Sequence, residues 1–144
     1  MTTIETIRDD FAFLDEWEER YRYVIELGGD LAPYPEEARD DVHKVPGCVS
    51  QVWLHTTRGP GEDPQLTFLG DSDAHIVRGL VAIMLALYSG RKASEILATD
   101  AEETLRALGL DEHLTPQCAN GLRSMVRRIR LEAESALSSP APAA

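Results

Sequence analysis

The sequence predicts an α+β fold in which helices cover a small three-stranded antiparallel sheet. Towards both ends of the chain, apolar residues recur every three or four positions, a period that is typical of helices. The middle instead holds short runs of β-branched and aromatic residues separated by turn residues, as expected for strands joined by short loops. Grouped strands flanked by helices favour a sheet with its helices on one face.

The N-terminal apolar stripe, Ile4 to Val24, predicts helix over this range. Asp15 and Glu18 can form a cap, so two helices that meet near Asp15 agree with the pattern as well as one long helix does. The glycines at positions 28 and 29 are expected to stop the helix.

The three predicted strands lie in the middle of the chain and have different lengths. They cover residues 42–45, residues 50–57 (SQVWLHTT) and residues 65–69 (QLTFL). The run RGPGEDP at 58–64 is rich in glycine and proline, which indicates a turn between the second and third strands.

The remainder of the chain is predicted to be helical. Residues 74–88 are predicted to form a helix that is apolar on nearly every face from Leu80 to Leu87, which indicates a helix at the centre of the domain. One or two turns at 94–98 and a helix from 99 or 100 to about 109 follow. The last helix is expected to have Thr115 as its cap and Pro116 at its first position, and to run to about Leu137.

The length and the charge exclude several classes of protein. The 144 residues suit one domain, predicted over 1–137, and the tail SSPAPAA at 138–144 lacks the apolar content to fold. The net charge of −11 argues against binding to nucleic acid or to an anionic membrane. The chain begins without the pattern of a signal peptide, and its longest apolar stretch is too short to span a bilayer, so we expect a soluble cytoplasmic protein.

Cys48 is the first candidate for chemistry. It follows Pro46 and Gly47, which mark a turn, so its thiol is expected at a loop tip that another protein can reach. Free cysteine is also among the most buried residue types, and the spacing alone favours a small buried side chain over a reactive one.

Cys118 falls on the apolar face of the last helix, at helical spacing with Leu122, Met125 and Ile129, so a buried side chain is expected. A second hypothesis places it near a helix start, where the dipole favours a thiolate that could exchange with Cys48.

The other candidate motifs favour structural roles over chemical ones. The four histidines are scattered and no CxxC is present, so a metal site has little support, although His43 and Cys48 could supply two ligands. No glycine-rich phosphate loop is found. Asp71, Ser72 and Asp73 are expected to cap the central helix. The arginines of the last helix, with Arg128 spaced for pairing with Glu132, indicate a solvated, ion-paired face.

Four segments together carry a resemblance to a known family. They are WEERYRYVIELG at 17–28, VPGCVSQVWL at 45–54, GDSDAHIVRGL at 70–80 and HLTPQCANGLRSMVRRIR at 113–130. In this order and spacing they resemble the SufE family of sulfur acceptor proteins, and the resemblance covers roughly residues 5 to 132.

The resemblance implies an α+β fold shared with IscU-like scaffold proteins. It also implies that Cys48 takes persulfide sulfur from a pyridoxal-phosphate cysteine desulfurase of the SufS or CsdA kind. The next recipient would be an iron–sulfur assembly complex such as SufBCD, with neither a cofactor nor a metal on this chain. One departure is that Cys118 stands where the family typically has arginine. An iron–sulfur scaffold, a thiol redox protein and a structural adaptor remain alternatives.

Overall fold

The computed structural model describes residues 3–45 and 50–138, and its helices flank the sheet along the chain as predicted. The strands are β1 (Val52–Arg58), β2 (Gln65–Ser72) and β3 (Arg91–Lys92). The helices, in chain order, are α1 (Ile4–Phe13), α2 (Trp17–Gly29), α3 (His75–Tyr88), α4 (Ala93–Ala98), α5 (Ala101–Ala107), α6 (Leu110–His113) and α7 (Pro116–Ser138). A short 3₁₀ helix spans Glu36–Ala38.

The sheet is antiparallel throughout, in the order β1-β2-β3. Its three-stranded form confirms the prediction, but one strand was placed wrongly. Residues 42–45 form no strand: Lys44 makes an isolated bridge to Trp53, and residues 41–43 are a turn. The third strand is β3, whose two residues are too few to show an alternating pattern in the sequence.

The core lies between the sheet and α3. Val52 and Leu54 of β1 and Leu66 and Phe68 of β2 alternate with more exposed residues, so their side chains share the buried face. Helix α3 packs against this face and is buried continuously from Gly79 to Leu85, which confirms its central position.

The N-terminal stripe forms two helices, one of the two arrangements that the sequence left open. Arg20 on α2 donates to the carbonyls of Phe11 and Leu14, so the break between α1 and α2 is held by a side chain. Gly28 lies within α2, which ends at Gly29, so the stop predicted for both glycines falls at the second one.

The last helix follows its prediction closely. It begins at Pro116, and Leu122, Met125 and Ile129 are all buried, as the apolar face requires. Arg128 pairs with Glu132 at 3.2 Å and also donates to the carbonyl of Val42, 86 positions away, which ties α7 to the segment before β1.

Candidate functional site

Cys48 belongs to residues 46–49, which lie outside the described residues, whereas the residues on each side of this segment are described. Before it, the Val45 amide donates to the Val52 carbonyl at 2.8 Å, and Val45 is 1% exposed. The Leu54 amide donates to the His43 carbonyl at 2.9 Å. These bonds fix residues 43–45 alongside the beginning of β1.

After Cys48, the chain is fixed at Gln51. The Gln51 amide donates to the Asp73 carboxylate at 3.0 Å, and the Asp73 amide donates to the Gln51 carbonyl at 3.2 Å. The side-chain amide of Gln51 lies 3.4 Å from the second carboxylate oxygen. The pair extends the β1–β2 ladder by one position beyond Val52 and Ser72.

Asp71 holds a cluster of charged and aromatic residues on the outer face of the sheet. Its carboxylate lies 2.6 Å from Arg39 Nη2 and 2.9 Å from Arg78 Nε. The Arg39 guanidinium also lies 5.3 Å from the ring centroid of Tyr34 and 5.1 Å from that of Trp53, within the range of cation–π attraction. Burial raises the pKa of the Tyr34 phenol to about 12.

The acidic run at 71–73 therefore does not serve as the predicted helix cap. Ala74 is the N-cap residue of α3 and makes no side-chain capping bond, although Ser72 Oγ accepts the Ala74 amide within the turn. Asp71 and Ser72 belong to β2, because the ladder with β1 continues further than the apolar pattern of 65–69 shows. Asp71 instead pairs with Arg39 and Arg78 and accepts the Ser72 amide, and Asp73 accepts the Gln51 amide.

Two of the scattered histidines meet in the fold. The rings of His43 and His55 are stacked, with centroids 5.4 Å apart and an interplanar angle of 18°. His43 Nδ1 lies 2.6 Å from Asp40, and this hydrogen bond lowers the pKa of the Asp40 carboxyl. Residues 3–45 and 50–138 contain no group of three or more histidine, cysteine, aspartate or glutamate side chains arranged to hold a metal ion.

A small apolar cavity of about 60 Å³ lies beside the first turn of α3. It is enclosed by α2, α3, α6 and the residues that lead into α7. Its lining consists of Trp17, Tyr21, Val24, Ile76, Leu80, Leu110, Leu114 and Thr115. Helix α3 begins at His75, two residues after Asp73.

Cys118 is the third residue of α7, and its side chain is outside the described part of the structure. The helix face on which it was predicted is buried at Leu122 and Met125. Its exchange with Cys48 stays a hypothesis.

Sequence reasoning missed Arg39, Arg78 and Gln51 as members of this region. Each is joined to an aspartate between 7 and 32 positions away. The Gln51–Asp73 pair continues the β1–β2 register, whereas Arg39 follows the 3₁₀ helix and Arg78 lies in α3. The run GDSDA at 70–74 was itself the available signal, since two aspartates flanking a serine at a strand end need partners.

Among the helices that the structure describes, none combines the length and the apolar character that crossing a membrane requires.

Comparisons with known proteins agree on one family. A family model described as "SufE: Fe-S metabolism associated domain" matches residues 5–133. An uncharacterized SufE-like protein of Rhizobium meliloti (strain 1021) is 62% identical over 138 residues, covering 95% of this chain and 99% of the relative. A second uncharacterized SufE-like protein, from Rhizobium etli, is 61% identical over 135 residues and covers 93% of this chain and 91% of the relative.

Among solved structures, the solution structure of a hypothetical protein from Thermus thermophilus superposes with a TM-score of 0.73. The alignment covers 94% of this chain and 96% of that chain at 19% sequence identity, so the likeness concerns the fold alone.

Proposed function

This chain belongs to the SufE family, which is associated with iron–sulfur metabolism, and on that premise we propose that it carries sulfur on Cys48. The donor is a cysteine desulfurase of the SufS or CsdA kind, and the recipient is an iron–sulfur assembly complex such as SufBCD. The observation that carries the proposal is the run VPGCVSQVWL at 45–54, which contains Cys48 and lies inside the matched range.

The transfer is a displacement at sulfur. The Cys48 thiolate attacks the outer sulfur of the donor persulfide, a new sulfur–sulfur bond forms at Cys48, and the donor cysteine leaves as a thiolate. Cys48 then holds a persulfide. A thiolate of the next protein attacks the outer sulfur of this persulfide in the same way, and Cys48 leaves as a thiolate. Removal of sulfur frees the desulfurase for another turnover, so the acceptor stimulates it.

Sulfur transfer between two proteins needs a single thiol at a defined place on an accessible segment. The hydrogen bonds at Val45 and Gln51 support such a placement, because they fix the chain on both sides of residues 46–49. The chemistry needs neither metal nor cofactor on this chain, and it suits the cytoplasm, where thiols stay reduced.

The test is to incubate the protein with a cysteine desulfurase, pyridoxal phosphate and cysteine, and to measure its intact mass. We expect the gain of a sulfur atom that is lost on treatment with reductant and is absent from Cys48→Ser. Cys118→Ser is the matched control, since it removes the second of the chain's two cysteines and should load normally.

The other outcomes identify the alternatives. A wild type that never gains sulfur from the desulfurase of its own organism contradicts the carrier function. Loading that requires both cysteines favours a thiol redox protein, and an assembled cluster retained on this chain favours a scaffold. Normal iron–sulfur assembly in cells that carry Cys48→Ser favours a structural adaptor.

A further inference from the structure

We propose that a groove between the start of α5 and the middle of α7 binds an acidic segment of a partner protein. The groove consists of two adjoining hollows, of about 330 and 420 Å³, which share Glu102, Val126 and Arg130 in their linings. We call it the α5–α7 groove. None of its lining residues belongs to the segment that carries Cys48, so the proposal stands apart from sulfur transfer.

Apolar side chains line both hollows of the α5–α7 groove. Val126 of α7 borders both of them, Leu97 of α4 borders one, and Leu131 of α7 borders the other. Leu131 is 54% exposed. Apolar side chains that lie together at the surface inside a polar rim are typical of a protein contact. The groove can therefore take an apolar side chain of a partner.

Three arginines follow one face of α7 along the same groove. Arg123, Arg127 and Arg130 are four and three positions apart, the spacing of neighbours on a helix surface. Arg123 lies 3.6 Å from Glu102. Arg130 lies close to the Tyr88 hydroxyl: burial raises the pKa of this phenol, and the guanidinium opposes the rise. Arg127 is exposed and makes no ion pair or hydrogen bond with any residue of the described part of the chain.

Two of the three acidic residues that line the groove are engaged within the protein. Asp100 accepts two backbone amides at the start of α5, and Glu102 lies beside Arg123. Neither carboxylate is therefore available to neutralise Arg127.

The ion-paired face predicted for α7 forms only in part. Arg128 pairs with Glu132, whereas Arg130 has the same spacing from Glu134, the third acidic residue of the groove, and these two described side chains form no ion pair. Arg130 lies beside Tyr88 instead. Residues two positions apart on a helix differ in direction by about 200°, so Arg130 and Arg128 project from nearly opposite sides of α7. The groove thus lies on the other side of α7 from the contact with the segment before β1.

A short acidic segment of a protein fits this combination of groups. The guanidinium of arginine presents a planar fork that matches a carboxylate. From Arg123 to Glu134 the helix rises by about 16 Å, which an extended segment of about five residues spans. Nucleic acid and anionic membranes fit less well, because their charge extends beyond the groove and meets the rest of a chain whose net charge is −11.

The experiment measures the binding of a fluorescein-labelled peptide, Glu-Glu-Leu-Glu-Glu, to the full chain by fluorescence anisotropy. We expect a dissociation constant of about 1 mM or less. Two peptides with the same label should bind more weakly: Gln-Gln-Leu-Gln-Gln, which lacks the carboxylates, and Glu-Glu-Ser-Glu-Glu, which lacks the apolar side chain.

Substitutions at Arg127 place the binding in the groove. Arg127→Ala should weaken it by about fivefold, the upper range for one exposed ion pair, and Arg127→Glu should abolish it. Arg22→Glu is the matched control, because Arg22 is exposed on α2, outside the groove, and this substitution changes the net charge as much as Arg127→Glu does. It should leave the affinity within about twofold of the wild type, since exposed charges at a distance are screened by salt.

Other results overturn the proposal. A wild type that does not bind Glu-Glu-Leu-Glu-Glu shows that the groove takes no such segment, and equal weakening by Arg22→Glu and Arg127→Glu shows that overall charge governs the binding. Equal affinity for the glutamine peptide shows that the arginines take no part. Tighter binding of an oligothymidylate, lost in Arg127→Glu, assigns the groove to nucleic acid. Self-association that Arg127→Glu removes, measured by sedimentation without peptide, assigns it to a second copy of this chain.

Discussion

At the scale of single residues, Arg39 connects several side chains on the outer face of the sheet. Its guanidinium lies against the rings of Tyr34 and Trp53 and pairs with Asp71. The planar group of arginine can stack on rings and bind a carboxylate at the same time, whereas the ammonium of lysine cannot. Arg39 thus attaches the segment around the 3₁₀ helix to β1 by stacking on Trp53 and to β2 by its ion pair with Asp71.

Replacing Arg39 with lysine should therefore destabilise the fold although the charge is kept. We expect a loss of about 1 kcal/mol in the free energy of unfolding, the size of a partly exposed cation–π contact. Urea denaturation followed by tryptophan fluorescence measures it, with Arg22→Lys on the exposed side of α2 as the control. Equal stabilities of the two variants would show that the rings contribute nothing.

The sequence carried enough information to single out Cys48 but not the residues around it. A glycine and a proline before a cysteine are visible in one short window, and so is a family motif. The meeting of Asp73 with Gln51, 22 positions apart, depends on the strand register, and that of Asp71 with Arg39, 32 positions apart, depends on how the segment after the 3₁₀ helix packs on the sheet. Local spacing favoured a helix cap for Asp71 and Asp73. The structure differs because the β1–β2 ladder continues to Ser72, so that Asp71 belongs to a strand.

At the scale of elements, the crossing of α2 and α3 depends on two glycines. A Cβ atom on Gly28 would lie 2.7 Å from the Gly79 amide nitrogen and 2.9 Å from the Arg78 carbonyl carbon. A Cβ atom on Gly79 would overlap the Val24 carbonyl group. The backbones approach this closely because neither residue has a side chain, and Gly28 therefore serves packing inside α2, while Gly29 marks the helix end.

Adjacent positions in α2 provide a matched pair of substitutions. Gly28→Ala should lower the free energy of unfolding by about 1–3 kcal/mol, because backbone atoms of α3 must shift to admit the methyl group. Gly29→Ala meets no atom within 4 Å and should leave stability unchanged or slightly raised, since alanine favours helix. Chemical denaturation of the two variants checks this. Equal losses of unfolding free energy in the two variants would show that α2 and α3 can move apart to admit a methyl group at Gly28 without cost.

The elements that sequence periodicity predicts well are the long ones. Helices α3 and α7 have 14 and 23 residues, enough for an apolar pattern to repeat several times. Several short elements were misplaced or missed: β3 has two residues, α6 has four, and residues 42–45 have strand-like side chains but one bridge. The short α4 is an exception, since it falls where turns at 94–98 were predicted. Neighbouring elements stabilise such short pieces, so their own residues carry little signal.

At the scale of the whole molecule, the charge is unevenly distributed. Residues 1–43 contain 13 acidic and 4 basic residues, so −9 of the net charge of −11 lies before Lys44. This stretch forms α1, α2 and the 3₁₀ helix, all before the segment that carries Cys48. We expect this acidic region, ahead of the proposed acceptor cysteine, to steer a basic partner surface, so that association with the partner is faster at low salt.

Three tyrosines from different parts of the molecule link its stability to alkaline pH. Burial is the largest cause that raises the pKa of Tyr23, Tyr34 and Tyr88, and for Tyr34 the folded value is about 12 against 10.0 for a free phenol. Between these two values the unfolded chain releases the Tyr34 proton and the folded protein keeps it. Ionisation therefore favours the unfolded chain, and stability falls as the pH rises through this window.

Tyr34→Phe should reduce this alkaline loss, because phenylalanine has no proton to release. At pH 8 the variant should be less stable than the wild type by about 1 kcal/mol, since the Tyr34 hydroxyl donates to the Ala38 carbonyl. Above pH 10 the difference should narrow, because the contribution of Tyr34 to the wild type's stability is being lost while the variant has none to lose. Urea denaturation at pH 8 and at two alkaline values measures both effects, and a difference that stays constant or widens with pH would contradict the role given to Tyr34.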